Sequence, residues 1–137
     1  MSNNKDRNEA IDVLARTLYG EARGESLKGI EAVAAVVMNR VQRGGWFGKD
    51  VVSVCLKPYQ FSCWNRGDPN RPVILKMTDS DPLFNTCIRV AARAVSGCLN
   101  DPVRGATHYH TLQCNPKWSL DQVPVAQIGN HLFYREV

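Results

Sequence analysis

The 137-residue chain has no long hydrophobic run. Its longest, Ala32 to Met38, falls far short of the ~20 apolar residues that a membrane span needs. The first residues, Met1 to Glu9, are polar and charged, without the apolar stretch and small-residue cleavage site of a secretory signal. There is no CxxC pair. The five cysteines (Cys55, Cys63, Cys87, Cys98, Cys114) are an odd number, which argues against both a zinc ribbon and a complete disulfide framework. Free thiols in a reducing compartment are expected, with Cys87 as a small core residue on a helix. Basic residues are scattered, with no dense Lys/Arg stripe among aromatics, so a net charge of +4 does not make a nucleic-acid binder. Repeats, low-complexity tracts and linkers are absent too. What remains is one globular domain over residues 1–137, with residues 1–8 expected to be a flexible polar N-terminus. No cofactor, nucleic-acid partner or membrane insertion is expected, and the chain should be a monomer.

The composition, 44% hydrophobic and 22% charged, is ordinary for a globular protein large enough to bury roughly two-thirds of its unfolded surface. Ile11, Leu14, Ala15 and Leu18 recur at helical spacing, and Gly24 is a natural stop for that helix. Ser26 can cap a second helix running to about Arg43, with Leu27, Ile30, Val33, Ala34, Val37 and Val41 as its buried stripe. Ala35, Val36 and Met38 widen that stripe, which puts this helix at the centre of the core. Within it, Asn39 is expected to make a satisfied hydrogen bond. Asp50 can cap a short helix to Leu56, and Ser62 to Pro72 reads as a long polar loop. Asp81-Pro82 then opens a helix marked by Phe84, Cys87, Ile88, Ala91, Ala92 and Val95, closed by Gly97. After Asn100 the pattern alternates from Ala106 to Thr111. Gly129-Asn130, between Val125–Ile128 and His131–Tyr134, suits a type II′ hairpin. The fold class is α+β, mainly helical with a small late β element.

Three clusters carry chemistry. Tyr19-Gly20-Glu21-Ala22-Arg23-Gly24-Glu25 sets two carboxylates one turn apart at the end of the first helix. The negative end of the helix dipole and desolvating apolar walls would both favour a protonated Glu21, a state suited to donating a proton to a glycosidic oxygen. Gly20 removes a side chain where a bulky ligand would approach the backbone. Tyr59-Gln60-Phe61-Ser62-Cys63-Trp64 combines flat aromatic faces with amide and hydroxyl groups, the mixture that sugar-binding clefts use. Thr107-His108-Tyr109-His110, followed by Cys114 and Trp118, places two histidines on one strand face. With Cys114 they are a conceivable zinc set, but no HExxH or carboxylate partner accompanies them. Ser62 with His108 would be a nucleophile pair, without the glycine-flanked serine elbow that supports one.

With the heptapeptide, Asn39-Arg40-Val41, Gln60-Phe61-Ser62 and Gly105-Ala106-Thr107-His108-Tyr109 in this order, the chain resembles the cell wall hydrolase family typified by spore cortex-lytic enzymes. The resemblance runs from about Ile11 to Trp118. It implies a compact lysozyme-like, lytic-transglycosylase-like catalytic domain that cuts peptidoglycan glycan strands. It implies Glu21 as the catalytic acid, with the loop carrying Gln60, Phe61 and Ser62 and the segment carrying Tyr109 lining the glycan cleft; Trp64, in a cysteine-containing variant of the usual loop, and Thr107 and His108 are expected to bind substrate beside them. Glu25 is either a second carboxylate or a structural residue that braces the second helix or pairs with Arg23; Asp68 and Asp79 are further carboxylates in loops. No metal is implied. The wall-binding domain and export signal of the spore enzymes are missing from this sequence. Synthesis in the cytoplasm and action on the wall after release, as in phage-type lysis, is the expectation that follows. A zinc amidase or peptidase and a non-catalytic wall-binding module are the rival classes.

Overall fold

The computed structural model describes residues 4–135 and 137, and among them five α-helices precede a three-stranded sheet. Helix α1 (Asn4–Ala22) buries Leu14, Ala15, Leu18 and Ala22, the face its periodicity marks. It begins earlier than the polar N-terminus suggests, so residues 4–8 are helical rather than loose; Met1 to Asn3 lie outside the described residues. Asp6 in the first turn meets the positive end of the helix dipole, and Arg7 donates to Ser96 Oγ at 2.5 Å. Ser26 caps α2 (Leu27–Arg43) by accepting from Gly29 N.

Helix α2 is buried on two sides. Ile30, Val33, Ala34 and Val37 join the cluster shared with α1 and the helices that follow. Ala32, Ala35 and Val36 face a second cluster with Val103, Ala106, Ile128 and Phe133. Each fully buried valine or isoleucine contributes roughly 1.5–3 kcal/mol, so this helix is the beam on which both halves rest. Asn39 makes the hydrogen bonds its setting demands, donating to Ala106 O at 2.9 Å and Asp101 Oδ2 at 3.2 Å.

A capping box between Asp50 and Ser53 starts α3 (Val51–Leu56). The stretch expected to be a loop from Ser62 to Pro72 is instead a 3-10 turn (Ser62–Trp64) and the start of α4 (Asn70–Lys76). Asp68 Oδ1 accepts from Asn70 N at 2.8 Å, and Pro72 sits in the first turn, where a missing N–H costs little. Ile74 then anchors the helix in the main core. Asp81 caps α5 (Pro82–Val95), which lies along α1, and Gly97 closes it at φ 76°.

Strands β1 (His108–Thr111), β2 (Ala126–Ile128) and β3 (His131–Tyr134) form an antiparallel sheet in the order β1-β3-β2. Ile128 pairs with His131 across Gly129-Asn130, and Gly129 takes φ 55° as a type II′ turn requires at its first position. Tyr109 pairs with Phe133, so β1 hangs from the strand that is itself packed on α2.

Gly20 has a different task from the one its sequence suggests. A Cβ there would meet Cys63 Cβ at 2.6 Å and Sγ at 2.7 Å, so the close approach comes from the 3-10 turn rather than from a ligand. Alanine would add helix propensity worth about 1 kcal/mol, but overpacking costs about 1–3 kcal/mol. Gly20→Ala is therefore expected to lower the melting temperature and to weaken activity by pushing the Cys63 turn off α1. A variant that melts above the parent would show that the turn yields freely.

Candidate active site

Glu21 lies in the last turn of α1, half-buried, and its Oε1 accepts a hydrogen bond from Tyr109 Oη at 2.9 Å. Burial first, and then the neighbouring Glu21 charge and hydrogen bond, pushes the Tyr109 phenol well above its ordinary range. Tyr109 is thereby fixed as a donor. Cys63 approaches from the 3-10 turn that Gly20 admits. Its thiol is pushed up by burial and then by the charge and hydrogen bond of Glu21, so it too keeps its proton. Helix, turn and strand thus converge on one acid.

Arg40 is the member of the site that sequence motifs alone leave unassigned. It is only 6% exposed, donates from Nε to Thr107 O at 2.7 Å, and lies between the rings of Phe47 and Phe61 at 5.2 and 5.1 Å. Desolvation lowers its pKa, and the potential negative charges of Tyr109, Cys55 and Glu21 raise it. In return its charge pulls the Tyr109 phenol and the Cys55 thiol down, by less than burial pushes each of them up. The signal was in the periodicity: Arg40 falls on the face traced by Val33, Val36 and Val37, an unusual address for a charge.

The second motif glutamate belongs to a different structure. Glu25 Oε1 lies 3.3 Å from Asn130 N and 3.4 Å from His131 Nδ1, and a Cβ at Gly129 would come within 2.6 Å of it. It clamps the β2–β3 turn while its side chain packs over Gly29 in the first turn of α2, and it makes no ion pair with Arg23 among the described residues. Arg23 instead donates to Asn70 Oδ1 at 2.6 Å and covers the Tyr19 ring. His131 meets the Tyr109 ring edge-on at 5.2 Å, so the clamp leads back to the tyrosine that holds Glu21. The two glutamates converge through the sheet rather than along the helix.

The other sequence candidates divide. Gln60 is half-buried and Ser62 exposed, beside the Cys63 position. Phe61 is 2% exposed and packs on Arg40, so it supports the loop from within and offers no free face. Trp64 is fixed inward by its Nε1 bond to Thr17 Oγ1 at 2.9 Å. Thr107 is buried; its carbonyl holds Arg40 and its hydroxyl lies 3.0 Å from His108 Nδ1. That nitrogen is taken by Thr107, not by Ser62. His110 has both nitrogens engaged, Nδ1 with Thr111 O at 2.7 Å and Nε2 with Tyr134 Oη at 2.8 Å, which leaves neither for zinc. Among the described residues no group of three His, Cys, Asp or Glu is gathered as a metal would need. A separate cavity, lined by Asp6, Ala10, Val51, Leu56 and Val95, lies about three to four turns of α1 from Glu21 and contributes nothing to this constellation.

His108 gives a pH-dependent signature. Burial, then Arg40 and Arg43, depress its pKa from 6.5 to about 4. The unfolded chain therefore binds an extra proton between those values, and stability must fall as pH drops from about 6.5 toward 4. Melting temperatures measured across that window should decline in the parent and flatten in His108→Gln. An equal slope in both would place the acid sensitivity elsewhere.

Known proteins bear on this geometry. The family model described as Cell Wall Hydrolase matches residues 24–134, beginning just beyond Glu21. The spore cortex-lytic enzyme of Halalkalibacterium halodurans is 32% identical over 126 residues, covering 90% of this chain and 34% of the relative. That of Bacillus cereus is 30% identical over the same share of this chain and 43% of the relative. The chain thus spans well under half the length of these curated relatives. The crystal structure of the catalytic domain of the Bacillus cereus SleB protein superposes with a TM-score of 0.75 at 28% identity, over 93% of this chain and 91% of that one. The catalytic domain of a germination-specific lytic transglycosylase, SleB from Bacillus anthracis, gives 0.75 at 27%, over 98% and 100%. The lysozyme-like fold expected from the sequence is the fold observed. With most of its length inside the family match and its whole architecture shared with two solved catalytic domains, this chain belongs to the cell wall hydrolase family.

Proposed function

We propose that the domain cleaves the MurNAc-β-1,4-GlcNAc bond of peptidoglycan glycan strands, with Glu21 as its single acid and base. The observation that carries this reading is the hydrogen bond from Tyr109 Oη to Glu21 Oε1 at the end of α1. It orients the carboxyl through one oxygen, and the reading gives the proton to the other. In the first step protonated Glu21 gives its proton to the linking oxygen as the C1–O bond breaks, and the GlcNAc end leaves with a free 4-hydroxyl. Positive charge at C1 of the muramoyl residue is shared by its N-acetyl group. In the second step the muramoyl C6 hydroxyl attacks C1, its proton returns to Glu21, and a 1,6-anhydro end forms. The acid is restored without water.

Hydrolysis would need a second carboxylate, about 5 Å from the first as nucleophile or farther as base for water. Glu25 is occupied by the β2–β3 turn, and Asp68 Oδ1 accepts from Asn70 N at the start of α4, which favours the single-acid route. The name of the Bacillus anthracis relative, a lytic transglycosylase, points the same way. Digestion of purified sacculi followed by mass spectrometry separates the routes. Anhydromuropeptides, each lighter than its hydrolysed counterpart by one water, are expected with or without chelator. Hydrolysed reducing ends would transfer the role of base to a second group. New amino groups released from stem peptides would replace the glycosidase reading with an amidase or peptidase.

A further inference from the structure

We propose that the loops carrying Trp46 and Tyr59 form a second saccharide platform beside the Glu21 site, built for an N-acetylhexosamine whose peptide substituent carries carboxylates. The proposal rests on the glycan-cleaving reading above and concerns sugars of the same strand away from the broken bond. Trp46 is 64% exposed and Tyr59 is 85% exposed, the most open aromatic rings of the described chain. Neither contributes much to the core, yet the backbone is shaped to present both. Gly44, Gly45 and Gly48 take φ of 62°, 56° and 128° around Trp46, conformations that only glycine adopts cheaply. Tyr59 itself sits at φ 66°, where a bulky residue is strained and its exposed ring recovers little by packing. An exposed, strained aromatic is better explained by what it binds than by what it stabilises.

The two loops meet at Lys57, whose Nζ lies 4.5 Å from the centroid of the Trp46 ring. The platform is continuous with the site. Trp46 touches Phe47 at 5.6 Å, Phe47 touches His108 at 5.8 Å, and His108 precedes Tyr109 on β1. On the other loop, Tyr59 runs directly into Gln60 and the Cys63 turn. Aromatic faces pack on the apolar C–H faces of pyranose rings, and an ammonium beside them matches an acid substituent. Muramoyl residues carry such groups on the stem peptide that is joined in amide linkage to their lactyl ether; neutral N-acetylglucosamine chains do not. Lys57 is therefore the element that distinguishes wall glycan from a neutral polymer.

Binding without cleavage is measured in a Glu21→Gln parent, using purified sacculi and soluble β-1,4-linked N-acetylglucosamine oligomers as probes. Trp46→Ala and Tyr59→Gly are expected to weaken sacculus binding on the order of tenfold each, about one aromatic contact. Tyr59→Gly should at the same time hold or raise the melting temperature, because glycine relieves the strain; a purely structural tyrosine would not separate the two readings. Lys57→Met should weaken binding to sacculi more than to the neutral oligomers. Equal binding by Trp46→Ala, Tyr59→Gly and the parent would overturn the platform, and equal losses on both probes for Lys57→Met would overturn the carboxylate. A wild-type chain that binds sacculi but releases no glycan fragments would instead overturn the cleavage reading on which the platform rests.

Discussion

Glu21→Gln should remove nearly all lysis of purified sacculi, about 10³- to 10⁴-fold in turnover, while leaving the fold intact. General acid–base catalysis by one group is worth about 10²–10⁴-fold, and the upper end applies because the same carboxyl serves both proton transfers. That loss corresponds to about 4–5.5 kcal/mol of transition-state stabilisation. Glutamine keeps the length and planarity of the side chain, and its carbonyl can still accept from Tyr109 Oη, so the 2.9 Å contact survives the substitution. Only the transferable proton is gone. Turbidity loss on sacculi, together with thermal melting, makes the comparison. A variant that melts with the parent and still clears sacculi within tenfold of its rate would remove Glu21 from the chemistry.

Periodicity made the helical frame legible. The stripe in α2 and the Asp81-Pro82 start of α5 are local signals, and local physics set them. The Gly129-Asn130 hairpin was legible for the same reason, since a two-residue turn fixes its own register. α4 was not, because Gly67, Pro69 and Pro72 look like loop residues until Asp68 and the burial of Ile74 are in place. At the site the division is similar. Glu21 could be chosen from its position at a helix end. Its partners could not be ranked, because Tyr109 reaches it across 88 positions of sequence and Cys63 reaches it only through the gap at Gly20. Phe61 and Trp64 look like sugar-stacking residues in the sequence and prove to be packing residues in space; of the two open rings, Tyr59 heads that same cluster and Trp46 carried no motif. Aromatic composition says that rings are present; only the fold says which faces are open.

Arg40→Ala should be the most destabilising single change at the site, by about 3–5 kcal/mol, or roughly 10–15 °C in melting temperature. Truncation opens a cavity between Phe47 and Phe61, and it leaves the Thr107 carbonyl without its 2.7 Å donor. A buried acceptor stripped of its partner costs about 1–3 kcal/mol by itself. Whether the charge contributes is a separate matter, because burial already lowers the arginine pKa and Nη1 has no partner among the described residues. A buried cation in that condition is costly to hold, and replacing one with an apolar side chain of similar volume is often neutral. Arg40→Met should accordingly fall well short of the alanine loss, since it fills the space between the rings and forfeits mainly the Thr107 bond. Thermal melts of the two variants decide between packing and charge. Equal losses would mean that attraction to the acids around Glu21, rather than contact with Phe47 and Phe61, holds α2 to the sheet.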